Sequence, residues 1–298
     1  MSQQTQVPRV IPKYEAWLEK WPTVFDVAQA SRAEILHERV WLGFNRRAIN
    51  LHEACKKIAY DAITMSIHTN KDDALHHSSQ SEDIQQLLHD FFHLDEQKWS
   101  SKTNISKKDF FVNAQNQVIQ NMTDYAYLRT LPWVWEYTAS AICAFGYNQK
   151  IPVLDINIKR VLIHSFQLLV EIPLWELQEL ALSLVPAGKS CVWHNALMDY
   201  GSQVLHSKAT GIRSAKQSQF KGSDREVRGW ILKHLTGKWA MSKMTWNDAS
   251  IDLSVKEITS VKIATVQAEF STKDVEKIVA GMVKDGLVRV ENEKVVLV

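Results

Sequence analysis

Glycine is scarce in this sequence, ten residues among 298, or about 3% where ~7% is usual. Few positions are therefore left at which the backbone can take positive φ without strain. Tryptophan, at eleven, slightly outnumbers it. Cysteine is nearly absent: Cys55, Cys143 and Cys191 are far apart and odd in number, which excludes a disulfide framework and a CxxC metal site and fits a reducing cytoplasm. Long apolar runs are missing too. None approaches the ~18–20 residues of a membrane span, and the opening MSQQTQVPRV has no apolar signal core. Net charge is only +2 and by itself says nothing about partners.

What is present is a hydrophobic share of 45%, enough to fill a core. The length favours two domains or one large one. Apolar residues recur at three- and four-residue spacing in Tyr14–Trp21, Ala33–Val40, Ala48–Ile58, Val161–Val170 and Leu174–Leu184, which predicts helices. Residues 69–108 read as a polar, His- and Ser-rich excursion with one apolar helical patch at Ile84–Leu94. Within it, His89 and His93 are spaced for one helix face, but the Glu of a zinc-protease helix is missing, so no metal site is expected.

Ser207–Gly222 is polar and basic with no apolar period, and reads as a linker. From Lys208 to Lys238 there are eight Lys/Arg against two acids, a stretch that suits either a phosphate backbone or a solvated face. Ser223-Asp-Arg-Glu226 reads as a capping box opening a helix to about Leu235, and Ser271-Thr-Lys-Asp274 as a second N-cap. Gly286 stops that second helix. Leu287–Val290 and Lys294–Val298 read as two strands around a Glu-Asn-Glu turn. These elements predict a small winged-helix-like α+β module over 223–298.

The segment with chemical content is Tyr125–Val161, YAYLRTLPWVWEYTASAICAFGYNQKIPVLDINIKRV. A helix should end near Thr130, a tight turn follow at Leu131–Glu136, and a small-residue helix begin near Tyr137. Ile151–Leu154 reads as extended, and Asp155-Ile-Asn157 as the opening of another helix. An acid there keeps its charge, because the free N–H groups and the helix dipole favour the anion. Taken alone, Asp155 would be no more than a helix cap.

The whole segment resembles the adenine-specific DNA glycosylases of the helix-hairpin-helix superfamily, whose hairpin reads LPGVGxYTA and is followed by VxDxNVxRV. Three further blocks agree. Gln3-Gln-Thr-Gln-Val7 through Arg9-Val-Ile-Pro-Lys-Tyr14 is similar to LQQTQVxRVxPYY, Trp41-Leu-Gly-Phe-Asn-Arg-Arg47 with Asn50-Leu-His52 to GLGYxxRAxNLH, and Asn195-Ala-Leu-Met-Asp-Tyr-Gly201 to NQALMDLG. The resemblance implies a mainly α fold, with a helix-hairpin-helix glycosylase core over 1–206, a linker over 207–222 and the added module over 223–298.

The resemblance also implies roles. Asp155 would stabilise an oxocarbenium-like sugar, with Tyr137 and Asn157 hydrogen-bonding or orienting it. Gln4 and Leu42 would wedge into the base stack, Thr5 would sit near the opposite base and Phe44 would press on the duplex. Trp133, Val134, Trp135 and Thr138 of the hairpin would meet DNA, and in the module Arg225, Arg228 and Lys233 would grip its backbone. Bifunctional relatives place a lysine where this chain has Tyr137, so a lyase step is not expected. The implied activity is hydrolysis of the N-glycosidic bond of adenine mispaired with guanine or 8-oxoguanine. The partner is double-stranded DNA holding such a base, bound by a cytoplasmic monomer with no cofactor.

The sequence also departs from the family. Relatives place a glutamate just before the LQQTQV block as general acid, where this sequence opens Met1-Ser2, so impaired catalysis is the expectation. Trp133 and Trp135 stand at the two hairpin glycines and Trp41 at another, and tryptophan there should strain the turn. UGA encodes glycine in some bacterial codes and tryptophan in others, so reading it by the wrong table would produce this pattern. Leu205 occupies the first cluster-cysteine position of many relatives and no cysteine follows Cys191, so no iron–sulfur cluster is expected. The alternative reading, from a different class, is a non-catalytic DNA-binding protein derived from the same fold.

Overall fold

The structure is a computed structural model, and it describes residues 7–39, 45–69, 89, 95–103, 106–205, 212, 219–236 and 260–298. The expected apolar patch at 84–94 and the His89/His93 pair lie almost wholly outside those residues, as do Gln4, Thr5, Trp41, Leu42 and Phe44. Compactness divides the chain into one unit of residues 1–56 with 218–298, and a second of 57–217. The expected boundary in 207–222 thus separates only part of what packs together.

The first unit opens with helices α1 (Val7–Lys20), α2 (Val24–Gln29) and α3 (Arg32–Arg39), and takes in the start of α4 (Asn45–Thr69). Reciprocal side-chain caps set where two of them begin. Thr23 Oγ1 accepts from the Asp26 N–H while Asp26 accepts from the Thr23 N–H, and Ser31 and Glu34 repeat the arrangement at α3. Ser31 N–H and hydroxyl hold the Glu34 carboxyl below the usual range.

The C-terminal part runs α12 (Asp224–Leu235), β1 (Ser260–Lys262), α13 (Ile263–Glu269), α14 (Val275–Lys284), β2 (Val288–Glu291) and β3 (Lys294–Leu297). The strands form an antiparallel sheet in the order β1-β3-β2, with Val261 opposite Val295 and Val290 opposite the same Val295. This is the helix, strand, two-helix and hairpin order of a winged-helix-like module. The hairpin closes through Asn292 and Glu293, both left-handed at φ 47° and 59°, as a two-residue turn matching strand twist requires.

Two capping expectations are corrected. Asp274 rather than Ser271 caps α14, accepting from Lys277 N–H at 3.0 Å. Ser223 makes no side-chain cap. Its hydroxyl donates to the Phe220 carbonyl, and Glu226 accepts from Gly222 N–H instead.

The module does not carry its own separate core. Val227, Ile231 and Leu232 of α12, Val266 of α13, Ile278 and Met282 of α14 and Val295 of β3 are buried in one cluster with Trp17, Trp21, Ile35, Leu36 and Ile49. Helices α1, α3, α12 and α14 each need an apolar partner, and pooling them makes a core that neither segment could fill alone.

The second unit contains α5 (Glu96–Thr103), α6 (Lys107–Thr123), α7 (Tyr125–Thr130), α8 (Glu136–Ala141), α9 (Ile156–Ser165), α10 (Leu174–Leu184) and α11 (Ser190–Gln203). Helix α10 has the expected bounds, but α9 stops at Ser165 instead of continuing to Val170. There Leu168 N–H bonds back to the Ile163 carbonyl while Gln167 turns left-handed at φ 53°. Ile158, Leu162 and Ile163 of α9 pack with Leu177 and Ala181 of α10.

Candidate active site

The turns and helix ends between Asp124 and Asp155 are set by a mixture of local caps and long-range bonds. Asp124 caps α7, accepting from Ala126 N–H at 2.8 Å. The helix ends at Leu131 because a residue before proline avoids the α region. Leu131 is extended, and its carbonyl accepts from Val134 N–H at 3.3 Å. With Pro132 second and Trp133 third at φ 64°, this is a type II turn, whose third position ordinarily demands glycine.

The expected strain therefore holds at one tryptophan and not at the other. Trp135 has an ordinary extended conformation, φ −82°, at the N-terminus of α8. Both indoles are exposed, Trp133 by 47% and Trp135 by 68%. Thr138 and Val134 are partly buried beside them.

Beyond α8 the helix widens into a π turn, Ile142–Gly146. Asn148, left-handed at φ 52°, fastens the exit of that turn: its amide nitrogen donates to the Gly188 carbonyl at 2.5 Å, and its amide oxygen accepts from Cys191 N–H at 3.0 Å. Ile151–Leu154 is then without helix, as expected. Within it, buried Val153 donates its N–H to Nε2 of buried His194 on α11, at 3.1 Å.

Asp155 is the N-cap of α9. Oδ1 accepts from Ile158 N–H at 2.7 Å, and Oδ2 from the Asn157 amide at 3.0 Å. Asn157 is oriented in turn by Arg160, whose Nη1 donates to its amide oxygen at 3.0 Å. Nε of the buried Arg160 donates to the Ile212 carbonyl at 3.2 Å. That bond corrects the reading of 207–222 as lacking any packing, because Ile212 also lies against the apolar cluster of α9 and α10. A single apolar residue has no period, so pattern reading passes over it.

Helix α11 reaches this network through Gly201. A Cβ there would lie 2.4 Å from the Asn157 carbonyl oxygen. Tyr137 stands nearby in electrostatic terms. Burial first, and then the Asp155 charge, push its hydroxyl above the usual tyrosine range, so it keeps its proton. The result is a carboxylate held by a helix N-terminus and an amide, with a neutral phenol in its field. Such a group can stabilise positive charge developing beside it, and no amine nucleophile stands at position 137.

The structure thus bonds Asn157 to Asp155 and leaves Tyr137 within the field of the Asp155 charge. Arg225, Arg228 and Lys233 lie on α12 in the other unit, where Arg228 pairs with Asp285, as does Arg46. Sequence reading missed Arg160 and His194. Arg160 was within reach, since it follows Asn157 by three residues and so shares its helix face. His194 was not, because its partner is 41 residues away. Among the described residues no cluster of His, Cys, Asp or Glu could hold a metal ion, and no helix is long and apolar enough to cross a membrane.

Residues 1–173 match the model of the HhH-GPD superfamily of base excision DNA repair proteins. The chain is 27% identical over 257 residues to the adenine DNA glycosylase of Mycolicibacterium smegmatis, covering 78% of this chain and 68% of that protein. It is 30% identical over 163 residues to the adenine DNA glycosylase of Mycobacterium tuberculosis, covering 54% of this chain and 35% of the other. With the human adenine DNA glycosylase it shares 27% over 211 residues, 68% of this chain and 28% of that one. It therefore spans only about a third of the length of the latter two relatives.

Proposed function

The chain belongs to the HhH-GPD superfamily of base excision DNA repair proteins, and from that premise we propose that it is a monofunctional DNA glycosylase that removes adenine opposite guanine or 8-oxoguanine. The observation that carries this reading is Asp155 at the N-terminus of α9, bonded to Asn157 and with Tyr137 in its field, one helix and a short extended segment after the hairpin. The similarity to adenine DNA glycosylases supports the choice of base.

As the bond from C1′ to adenine breaks, its electron pair leaves with the base, which takes up a proton. The sugar becomes oxocarbenium-like, and the Asp155 carboxylate offsets that charge. Asn157 holds one carboxylate oxygen in place, and the Tyr137 hydroxyl stays neutral and available as a donor. Water then adds to C1′ as hydroxide, and the proton it gives up balances the one taken up by the base. Without an amine at position 137 no Schiff base follows, and the abasic strand stays intact.

We assign the wedge and opposite-base roles to Gln4, Thr5, Leu42 and Phe44, and backbone grip to the hairpin and to Arg225, Arg228 and Lys233. The bound species is one protein monomer on duplex DNA, in a reducing cytoplasm that suits three unpaired cysteines.

The test is single-turnover excision from a duplex with adenine opposite 8-oxoguanine. Asp155→Asn keeps a good N-cap, so folding and DNA affinity should persist. Excision should fall by ~10²–10³-fold or more. An Asp155→Asn variant as active as the parent refutes the assignment. A parent that binds the duplex yet leaves adenine intact after prolonged incubation favours a non-catalytic DNA-binding protein.

A further inference from the structure

His194 is fully enclosed, 1% exposed, and both its ring nitrogens are committed. Nδ1 lies 2.7 Å from the Ser190 carbonyl, which can only accept, so Nδ1 carries the proton. Nε2 must then be the acceptor for Val153 N–H at 3.1 Å. Phe145 of the π turn meets the ring edge to face, at 6.1 Å between centroids. The two bonds fix the ring as the neutral Nδ1–H tautomer.

Val153 is 1% exposed and stands two residues before Asp155. Its N–H is the tie between the extended segment and α11, the same helix whose Gly201 lies against Asn157. We propose that His194 is a positioning residue for the Asp155 carboxylate, and that protonating its Nε2 releases the Val153 tie and switches off the site. A protonated Nε2 would place a donor against a donor in a site that water does not reach, so the bond cannot survive protonation.

The surroundings favour the neutral ring. Burial pulls its pKa below the usual histidine value, and the Ser190 carbonyl opposes this in part. Titratable groups on the elements around it are Cys143 and Tyr147 at the π turn, Asp155 past Val153, Lys159, Arg160 and His164 on α9, and Cys191, Asp199 and Tyr200 on its own helix. None of these enters as a charge acting on His194. The switch therefore depends on the ring alone, and it operates on the acid side of the ordinary histidine value of about 6.5.

This inference rests on the reading of Asp155 as catalytic, and two readouts on the full chain keep the two separable. The first is NMR of the His194 ring nitrogens and the Val153 amide across a pH series. The second is single-turnover adenine excision across the same series. The Val153 amide should shift with His194 titration, and excision should fall with it while DNA affinity holds.

His194→Gln places a non-titrating amide oxygen near Nε2. It should keep excision near the parent level at neutral pH, flatten the Val153 response and remove that acid limb. His194→Ala should lower excision about 10- to 100-fold at every pH, as misplacement of a catalytic group does. A Val153 amide indifferent to His194 protonation overturns the proposal, as does a His194→Gln variant with the parent's acid limb. Where no variant excises adenine, the functional reading fails, and the Val153 amide alone decides the tie.

Discussion

Arg160 Nη1 donates to Asn157 Oδ1 at 3.0 Å, and that bond decides which way the Asn157 amide faces. With the oxygen turned to Arg160, the nitrogen is left for Asp155. Lysine cannot make both this bond and the one to the Ile212 carbonyl, because its single ammonium lacks the guanidinium fork. Arg160→Lys should therefore lower the single-turnover rate about tenfold while leaving DNA affinity near the parent value. An unchanged rate would show that Asn157 orients itself.

Trp133 and Trp135 should respond differently to glycine. Trp133 is left-handed at φ 64°, a conformation that holds roughly 1–3 kcal/mol of strain in a side-chain-bearing residue. Glycine would remove it, against an entropic penalty of about 0.4–1 kcal/mol from a looser unfolded chain. Trp133→Gly should thus stabilise by ~1 kcal/mol in urea unfolding. Trp135, at φ −82°, has no such strain to release, and Trp135→Gly should not stabilise. Peptide mass of the protein from its native cell would show which residue is inserted at 133.

Gly201 is tested by a single methyl group. A Cβ 2.4 Å from the Asn157 carbonyl oxygen and 2.7 Å from its carbon meets backbone, which cannot swing aside. Gly201→Ala should force α9 and α11 apart at a cost of ~1–3 kcal/mol. Because the displaced carbonyl belongs to Asn157, excision should fall further than the loss of stability explains. Parent-level excision in a folded variant would show that the Asp155–Asn157 geometry tolerates the shift.

The turn at Pro132, the extended segment and the N-cap at Asp155 were legible because each is written in adjacent residues, whereas the expected Glu-Asn-Glu turn is shortened to Asn292-Glu293 because Glu291 pairs with Lys294. What escaped were partnerships between distant residues. Nothing in positions 223–298 reveals that Val227 and Ile231 share a core with Trp17 and Ile35, because amphipathic helices advertise an apolar face and not its partner. The three-residue strand β1 is too short for alternation to register. Ile212 and His194 act through single long-range bonds, which leave no periodic trace.

His52 gives the first unit an acid-sensitive point. It is fully buried on α4, and among the described residues neither ring nitrogen makes a hydrogen bond of full geometry, the Ala28 backbone being its one weak partner. Burial, then the nearby Lys56 charge, lower its pKa, while Glu53 and the Ala28 backbone oppose them. Below about 6.5 the unfolded chain then binds a proton that the folded chain refuses. Stability from this site is whole above that pH and drains away as pH falls toward the folded value. His52→Leu should flatten this part of the stability curve and be no less stable than the parent at acid pH. An equally steep acid limb in the variant would move the cause elsewhere.

On the basic face of α12, a part in folding and a part in gripping DNA give different outcomes on substitution. Arg228 is paired with Asp285, a carboxylate only 14% exposed that Arg46 also engages. Removing Arg228 leaves that partly buried charge with one partner fewer, so Arg228→Ala should act mainly on folding and lower the urea midpoint. Phosphate contacts act differently. Each cation that displaces a DNA counterion contributes roughly one unit to the slope of log affinity against log salt. Arg225→Ala and Lys233→Ala should therefore each reduce that slope by about 1 and weaken binding alike on matched and mismatched duplexes. If Arg228→Ala changes the salt slope as much as the other two, the Asp285 pair opens on DNA. If none of the three changes it, α12 does not meet the backbone at all.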